Sequence, residues 1–220
     1  MWKAQPGSMR ARLGDAGYAL HRVGILVGLR YGGSFYFPSD DRTVLENKIL
    51  PFYQLSPSHQ DILFVGTEWY THGYSRRFSD KRLFATLDFS PRKAKYGARC
   101  HVIDSVTNVA THFEPGSLDL VMLNGILGWG LDRLEDADAA IAGCFRCLRP
   151  GGHLVIGWND IPKYMPFALR DIPALAGFKA ETLSAIGTHE LVIDNEWRHV
   201  FSIFAALPQV VGADAPGCAT

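Results

Sequence analysis

Short apolar runs ending abruptly on a glycine, an acid or an asparagine recur through the middle of the chain. Asp61-Ile-Leu-Phe-Val65 stops at Gly66, Leu83-Phe-Ala-Thr-Leu87 at Asp88, and His101-Val-Ile103 at Asp104. Leu118-Asp-Leu-Val-Met-Leu-Asn124 follows the turn Pro115-Gly116, and His153-Leu-Val-Ile-Gly-Trp158 follows Pro150-Gly151-Gly152. Runs of this length bounded by turn residues read as strands buried on both faces. The intervening stretches have helical spacing: about Thr71 to Phe78, a segment opened by Pro91, and Leu134 to Leu148 with Ala137, Ala140, Ile141, Cys144 and Leu148 on one face. Repetition of the strand–helix–strand unit predicts an α/β fold with a doubly wound, mostly parallel sheet and right-handed crossovers.

The two ends of the chain differ from this middle. Leu13, Ala16, Leu20, Val23 and Val27 recur at three- and four-residue steps, which predicts a helix within Met9–Arg30 ended by Gly32-Gly33. The aromatic link Tyr31 to Phe37 reads either as a lid or as packing. Ser39 and Asp40 are N-caps for a second helix through Val44, Leu45, Ile49 and Leu50, closed by Pro51 and Pro57. After the fifth strand comes a helix around Pro166 to Ala176. Strands near Lys179–Ile186 and Arg198–Ala206 then follow with no helix between them, which predicts an antiparallel edge. The expected organisation is an N-terminal helical extension or lid over 1–57, a cofactor-binding catalytic domain over 58–207, and a flexible Gly/Ala/Pro-rich tail over 208–220.

Acidic and basic residues number 22 each, so no charge asymmetry argues for nucleic acid or a membrane as partner. No run approaches the length of a membrane span, and no secretory signal is evident. The four cysteines form no disulfide framework, which points to the cytoplasm. Cys144-Phe-Arg-Cys147 has metal spacing but no second pair nearby, so it reads as two buried structural thiols, and no metal is expected. The expected partner is a small-molecule substrate, for a monomer or homodimer.

The most telling juxtaposition is Gly66 after one strand and Asp88 at the end of the next. A tight turn lets backbone approach a nucleotide-like ligand, and an acid some twenty residues on accepts hydrogen bonds from ribose hydroxyls. Together with Leu118–Asn124 and the turn Leu148-Arg-Pro-Gly-Gly152 into His153–Ile156, this resembles the class I S-adenosylmethionine-dependent methyltransferases over roughly Asp61 to Leu207. The resemblance implies a seven-stranded sheet with an antiparallel hairpin at one edge, and S-adenosyl-L-methionine as cofactor. Carried onto this chain, Gly66, Thr67, Glu68, Trp69 and Tyr70 form the cofactor loop. Asp88 and Phe89 meet the ribose, Asp104 and Ser105 face the adenine, and Asn124 and Gly125 lie near the methionine part.

Two positions depart from the family's first motif. Phe64 stands where an acid is usual, and Glu68 where a second glycine is usual. Glu68 is expected to supply the missing carboxylate to the cofactor's amino group, because a buried carboxylate needs a cation. Trp69, Tyr70 and Tyr74 are expected to wall the sulfonium. A nicotinamide dehydrogenase fits less well, since only Gly66 and Gly73 are present where three spaced glycines are needed.

Transfer from a sulfonium requires alignment above all, and a base only if the acceptor is protonated. Asp160, Asn124 and His72, in that order, are the candidates for orienting a nucleophile or taking its proton. Asp160 has N-capping as its alternative role, Trp129 stacks on substrate or plugs the core, and His189 and His199 read as structural. The leading function is methyl transfer to a small molecule. The alternatives are attack at another sulfonium carbon with release of methylthioadenosine, or a non-catalytic cofactor-binding module.

Overall fold

A computed structural model describes residues 39–209, together with the helical positions Ala16, Gly17, Leu20, Val23, Gly24 and Val27. The expectations for the Tyr31–Phe37 link and for most of the C-terminal tail lie outside these residues. Leu20, Val23 and Val27 are exposed, so these three do not join the core as the expected packing over the sheet would require.

The sheet order follows from the alternation of strands. β1 (Asp61–Val65) is flanked by β2 (Leu83–Asp88) and β4 (Leu118–Asn124), β3 (Cys100–Ile103) lies outside β2, and β5 (Leu148–Asn159) lies outside β4. These five are parallel. β8 (His199–Ala206) runs antiparallel to β5 along its length. β6 (Phe178–Ala180) and β7 (Glu190–Val192) both pair with β8, opposite its end and its start respectively, so eight strands fill seven positions. The expected seven-position sheet is thus present, with its last strand in two pieces. The hump between them turns Leu183 inward onto the core.

Successive residues along a strand point to opposite faces, and the core divides accordingly. Leu63, Val65, Leu87, Val121, Leu123, Leu154 and Ile156 pack under helix α4 (Leu134–Cys147) through Ala137, Ala140, Ile141 and Cys144. Ile62, Phe64, Leu120, Met122, Val155 and Ile203 face the other way, under the N-terminal helix. That helix begins as α1 (Asp40–Val44), passes through a π-turn (Leu45–Ile49) and continues as α2 (Leu50–Leu55), burying Leu45, Ile49, Leu50 and Tyr53. Pro51 therefore does not end the helix. Proline removes one backbone donor and crowds the preceding turn. The widened turn, with Leu50 N–H bonded to Leu45 O, absorbs that crowding.

Several expected helices are shorter than their periodicity suggests. Thr71–Phe78 yields only α3 (Tyr74–Arg77), and the segment opened by Pro91 is a 3-10 turn, Pro91–Tyr96. The helix expected over Pro166–Ala176 is two 3-10 turns, Leu169–Asp171 and Pro173–Gly177, because Pro173 interrupts it.

The Pro-Gly-Gly turn is a structural device at the amino end of the sheet. Gly151 has φ +74°, and a Cβ on Gly152 would stand 2.9 Å from Arg149 O. Beside it, buried Asp119 accepts from Gln60 N–H (2.6 Å), Asp61 N–H (2.9 Å) and the Arg149 guanidinium. This knot joins β1, β4 and β5 at the end opposite the cavity.

Candidate active site

The carboxyl ends of the parallel strands open into one cavity of about 1130 Å³. This is where an open α/β sheet binds ligands. Each strand end contributes a residue dictated by where its apolar run stops: Gly66, Asp88, Asp104, Asn124 and Asn159. The N-terminal helix adds Asp40, Asp41 and Arg42 as one wall, and the approach to β8 adds Asn195, Glu196, Trp197 and His199 as another.

The loop after β1 is built for close approach. Gly66 has φ +88°, and a Cβ there would stand 3.2 Å from both Asn124 O and Ile126 Cγ2. Only glycine adopts that conformation without strain. Thr67 N–H donates to Asp88 Oδ2 (2.8 Å) and Ser90 N–H to Asp88 Oδ1 (2.9 Å), so the buried carboxylate is fixed from both sides. A carboxylate has about four acceptor directions, so Oδ1 keeps one for a ligand hydroxyl.

Glu68 meets a cation of the protein itself: Lys93 Nζ lies 2.8 Å from its carboxylate and 3.8 Å from Asp88 Oδ2. The slot of the missing acid at Phe64 is filled by its ring, packed edge-on against Tyr74 at 5.3 Å. Tyr74 in turn donates to Glu46 Oε1 (2.8 Å) and accepts from Arg42. Arg42 is buried, paired with Glu46 at 3.1 Å, and its guanidinium lies 4.1 Å over the Tyr70 ring. Burial pushes the Tyr70 phenol up to about 12 and the Tyr74 phenol higher still, with the Arg42 charge opposing in both.

Of the proposed cofactor residues, Gly66, Thr67, Glu68, Tyr70, Asp88, Phe89, Asp104, Ser105, Asn124 and Gly125 line the cavity. Trp69 and Tyr74 do not, and neither do His72 and Asp160. Asp160 is half-exposed and paired with Arg198 at 3.1 Å. His72 keeps a buried Nδ1 without a hydrogen-bond partner but lies outside the lining. Asp104 holds His112 Nε2 at 2.7 Å; that hydrogen bond, with others from Asn108 and Ser105, draws its carboxyl below the usual range. Trp129 stacks on Tyr164 at 4.8 Å while donating to Asn159 Oδ1 at 3.4 Å, so one face of its ring is already covered.

His199, read as structural from the sequence, is a cavity residue. It opens β8 opposite Asn159. Arg198 before it has φ +38°, the one positive value at a non-glycine among the described residues. Its burial lowers the imidazole pKa, with Asp41 opposing and Arg42 reinforcing. Nothing in a lone His after Trp197-Arg198 signals this; it follows from β8 folding back beside β5.

The comparisons with known proteins agree with this geometry. The methyltransferase-domain family matches residues 65–156, from the end of β1 through most of β5. No curated protein matches the chain. Among solved structures, the N-methyltransferase NodS from Bradyrhizobium japonicum WM9 superposes with a TM-score of 0.55 at 16% identity, over 77% of this chain and 99% of that one. The same protein in complex with S-adenosyl-L-homocysteine gives a TM-score of 0.53 at 15% identity, over 84% and 97%. A TehB-like SAM-dependent methyltransferase from Corynebacterium glutamicum gives a TM-score of 0.53 at 16% identity, over 86% and 96%. The glycine-only bend at Gly66 and the free acceptor of Asp88 suit the nucleoside of such a cofactor. Residues 65–156 thus match the methyltransferase-domain family, and the chain has the Rossmann-like fold of the S-adenosylmethionine-dependent methyltransferases it superposes on.

Proposed function

We propose that the protein transfers a methyl group in line from S-adenosylmethionine to a small molecule. The observation that carries this reading is the continuity of the cavity. One space joins the Gly66–Asp88 cradle to a second end walled by Asn124, Trp129, Asn159, Trp197 and His199, under the roof of Asp40–Arg42. Its 1130 Å³ exceeds the roughly 300–1,000 Å³ of ordinary small-ligand pockets, which leaves room for a second small ligand beside the cofactor. The cations around it favour a small acceptor over a polyanion. The two cations of its lining are both paired, Arg42 with Glu46 and Lys93 with Glu68, so little positive charge in the cavity is left for phosphates.

The cofactor supplies an already activated methyl. The chain's own residues hold and align. Gly66 admits the ligand against backbone, Asp88 offers Oδ1 to the ribose, and the Asp104–His112 pair keeps a charged acceptor beside Ser105. Glu68, paired with Lys93, sets the polar end of the loop. Asn124, whose carbonyl touches the Gly66 bend, stands between the cofactor loop and the acceptor end. Roof and walls exclude water and restrict the acceptor to one line of approach.

The test is mass analysis after incubating the chain with S-adenosylmethionine and either a pool of small metabolites or total RNA. The expected product is S-adenosylhomocysteine, stimulated by the small-molecule pool. Stimulation by RNA alone overturns the small acceptor, methylthioadenosine overturns methyl transfer, and inertness with both overturns the reaction.

A further inference from the structure

Two tryptophans wall the second end of the cavity. Trp129 stacks on Tyr164 at 4.8 Å, Tyr164 meets Trp197 at 5.7 Å, and both tryptophans line the space. Trp129 is 44% exposed although Tyr164 covers one face, so its other face is open. Buried Asn159 ties the pair together, donating from Nδ2 to Trp197 O at 2.9 Å and accepting from Trp129 Nε1 at 3.4 Å. The turn that delivers Trp197 is fixed as well: Asn195 Oδ1 accepts from Trp197 N–H at 3.0 Å, and Arg198 holds φ +38°. Backbone in that region persists only where its surroundings determine it. Indoles locked in place along an open cavity are a ready contact surface for a small ligand.

The same lining carries uncompensated negative charge. Asp40, Asp41 and Glu196 have no ion-pair partner among the described residues, whereas the lining's two cations, Arg42 and Lys93, are each held by a glutamate. Glu196 Oε1 accepts from Trp197 Nε1 at 3.0 Å, which sets a carboxylate at the edge of that ring. Asp41 lies near enough to His199, beside Trp197, for its charge to oppose the lowering of that imidazole's pKa. Aromatic faces and carboxylates share one preferred partner, a cation, drawn by the ring quadrupole and by the charge. The carboxylates repel an anion, and a neutral molecule gains from the ring faces alone. The aromatic stack already draws one cation on its far side, with Lys163 Nζ 5.2 Å from the Tyr164 centroid.

We propose that the acceptor is a small organic cation whose ammonium group rests on Trp129 and Trp197 and is faced by Asp41 and Glu196. The proposal rests on the methyl-transfer reading and names its substrate class. The ammonium is a recognition handle, distinct from the atom that is methylated, because a nitrogen with four bonds has no lone pair to offer. Holding that handle at the tryptophan end fixes the rest of the acceptor relative to the cofactor loop at the other end of the same space.

The experiment uses the full chain saturated with S-adenosylhomocysteine, so that the cofactor's own ammonium is already in place. Choline is the probe. Its neutral counterpart carries a tert-butyl group in place of the trimethylammonium, its anionic counterpart is the carboxylate of tert-butylacetic acid, and each is titrated by calorimetry. Choline is expected to bind about tenfold more tightly than the neutral alcohol, and the carboxylate not to bind. Trp197→Leu should bring choline and the alcohol to near equality, and Asp41→Asn should narrow their ratio about threefold. Each ratio is taken within one protein, so a misfolded variant loses both ligands and not the preference alone. In turnover, the fraction of a small-metabolite pool retained by a cation exchanger should carry the stimulation of S-adenosylhomocysteine formation. Equal affinity for choline and the alcohol, silence of all three probes, an unchanged ratio in both variants, or stimulation confined to the unretained fraction overturns the cationic acceptor while leaving the methyl-transfer reading intact. Failure to bind S-adenosylhomocysteine overturns both, and the parent's titrations decide the question even if neither variant folds.

Discussion

His59 provides a quantitative test of the packing at the amino end of the sheet. Its ring is buried against Tyr53 and His153, with centroids at 4.9 and 4.7 Å, and Nδ1 is 2.7 Å from Ser56 Oγ, while Nε2 has no partner. Burial, then the charges of His153, Arg149 and Lys81, push its pKa from 6.5 down to about 4, against the pull of Asp119. The folded state therefore resists a proton that the unfolded chain accepts freely. Its contribution is complete above about pH 6.5 and is lost as pH falls toward about 4, because the unfolded state binds more protons across that window. Linkage over this interval amounts to about 2 kcal/mol near pH 5 and about 3 kcal/mol near pH 4. His59→Phe keeps a ring in the pocket and removes the titration. Urea unfolding of parent and variant from neutral to acid pH should show the parent's stability falling more steeply by that amount. Superimposable slopes would refute the burial argument.

Four further outcomes follow from the site and the core. Asp88→Ala removes the charged acceptor at the ribose position and should weaken S-adenosylhomocysteine binding by about 1.5–3 kcal/mol in calorimetry; unchanged affinity refutes the placement. Glu68→Ala leaves Lys93 to Asp88 alone and should also weaken that binding, which the same titration reads. Gly157→Ala drives a methyl into Asn124 Oδ1 and should cost about 1–3 kcal/mol in denaturant unfolding, with loss of turnover. Among the three cysteines within the described residues, iodoacetamide should label exposed Cys100 in the native state and spare Cys144 and Cys147. Burial raises both of those thiols, Cys147 to about 11, and labelling of either without denaturant would contradict it.

The parallel core was legible in the sequence because each strand is an apolar run with a sharp polar end, and those ends, Gly66, Asp88, Asp104 and Asn124, are also the cavity residues. Helices were less legible. Apolar spacing over Thr71–Phe78 satisfies both a helix and a turn, and Pro51 reads as a stop because sequence gives no sign of the π-turn that accommodates it. Asp160 and His72 stand next to a strand end and the cofactor loop in sequence, whereas the side chains in the cavity wall depend on where β8 returns. His199 and Arg42 come from distant segments brought to the rim by tertiary packing, and no local pattern announces them.

The break between β6 and β7 has a consequence beyond this chain's own fold. Each fragment is three residues long, and the segment between them buries Leu183. A second molecule approaching that flank meets no unbroken ladder of amides and carbonyls to extend. The opposite flank, β3, is only four residues long. Both borders are thus poor templates, so copies of this protein crowded together have little means of stitching their sheets into a fibre.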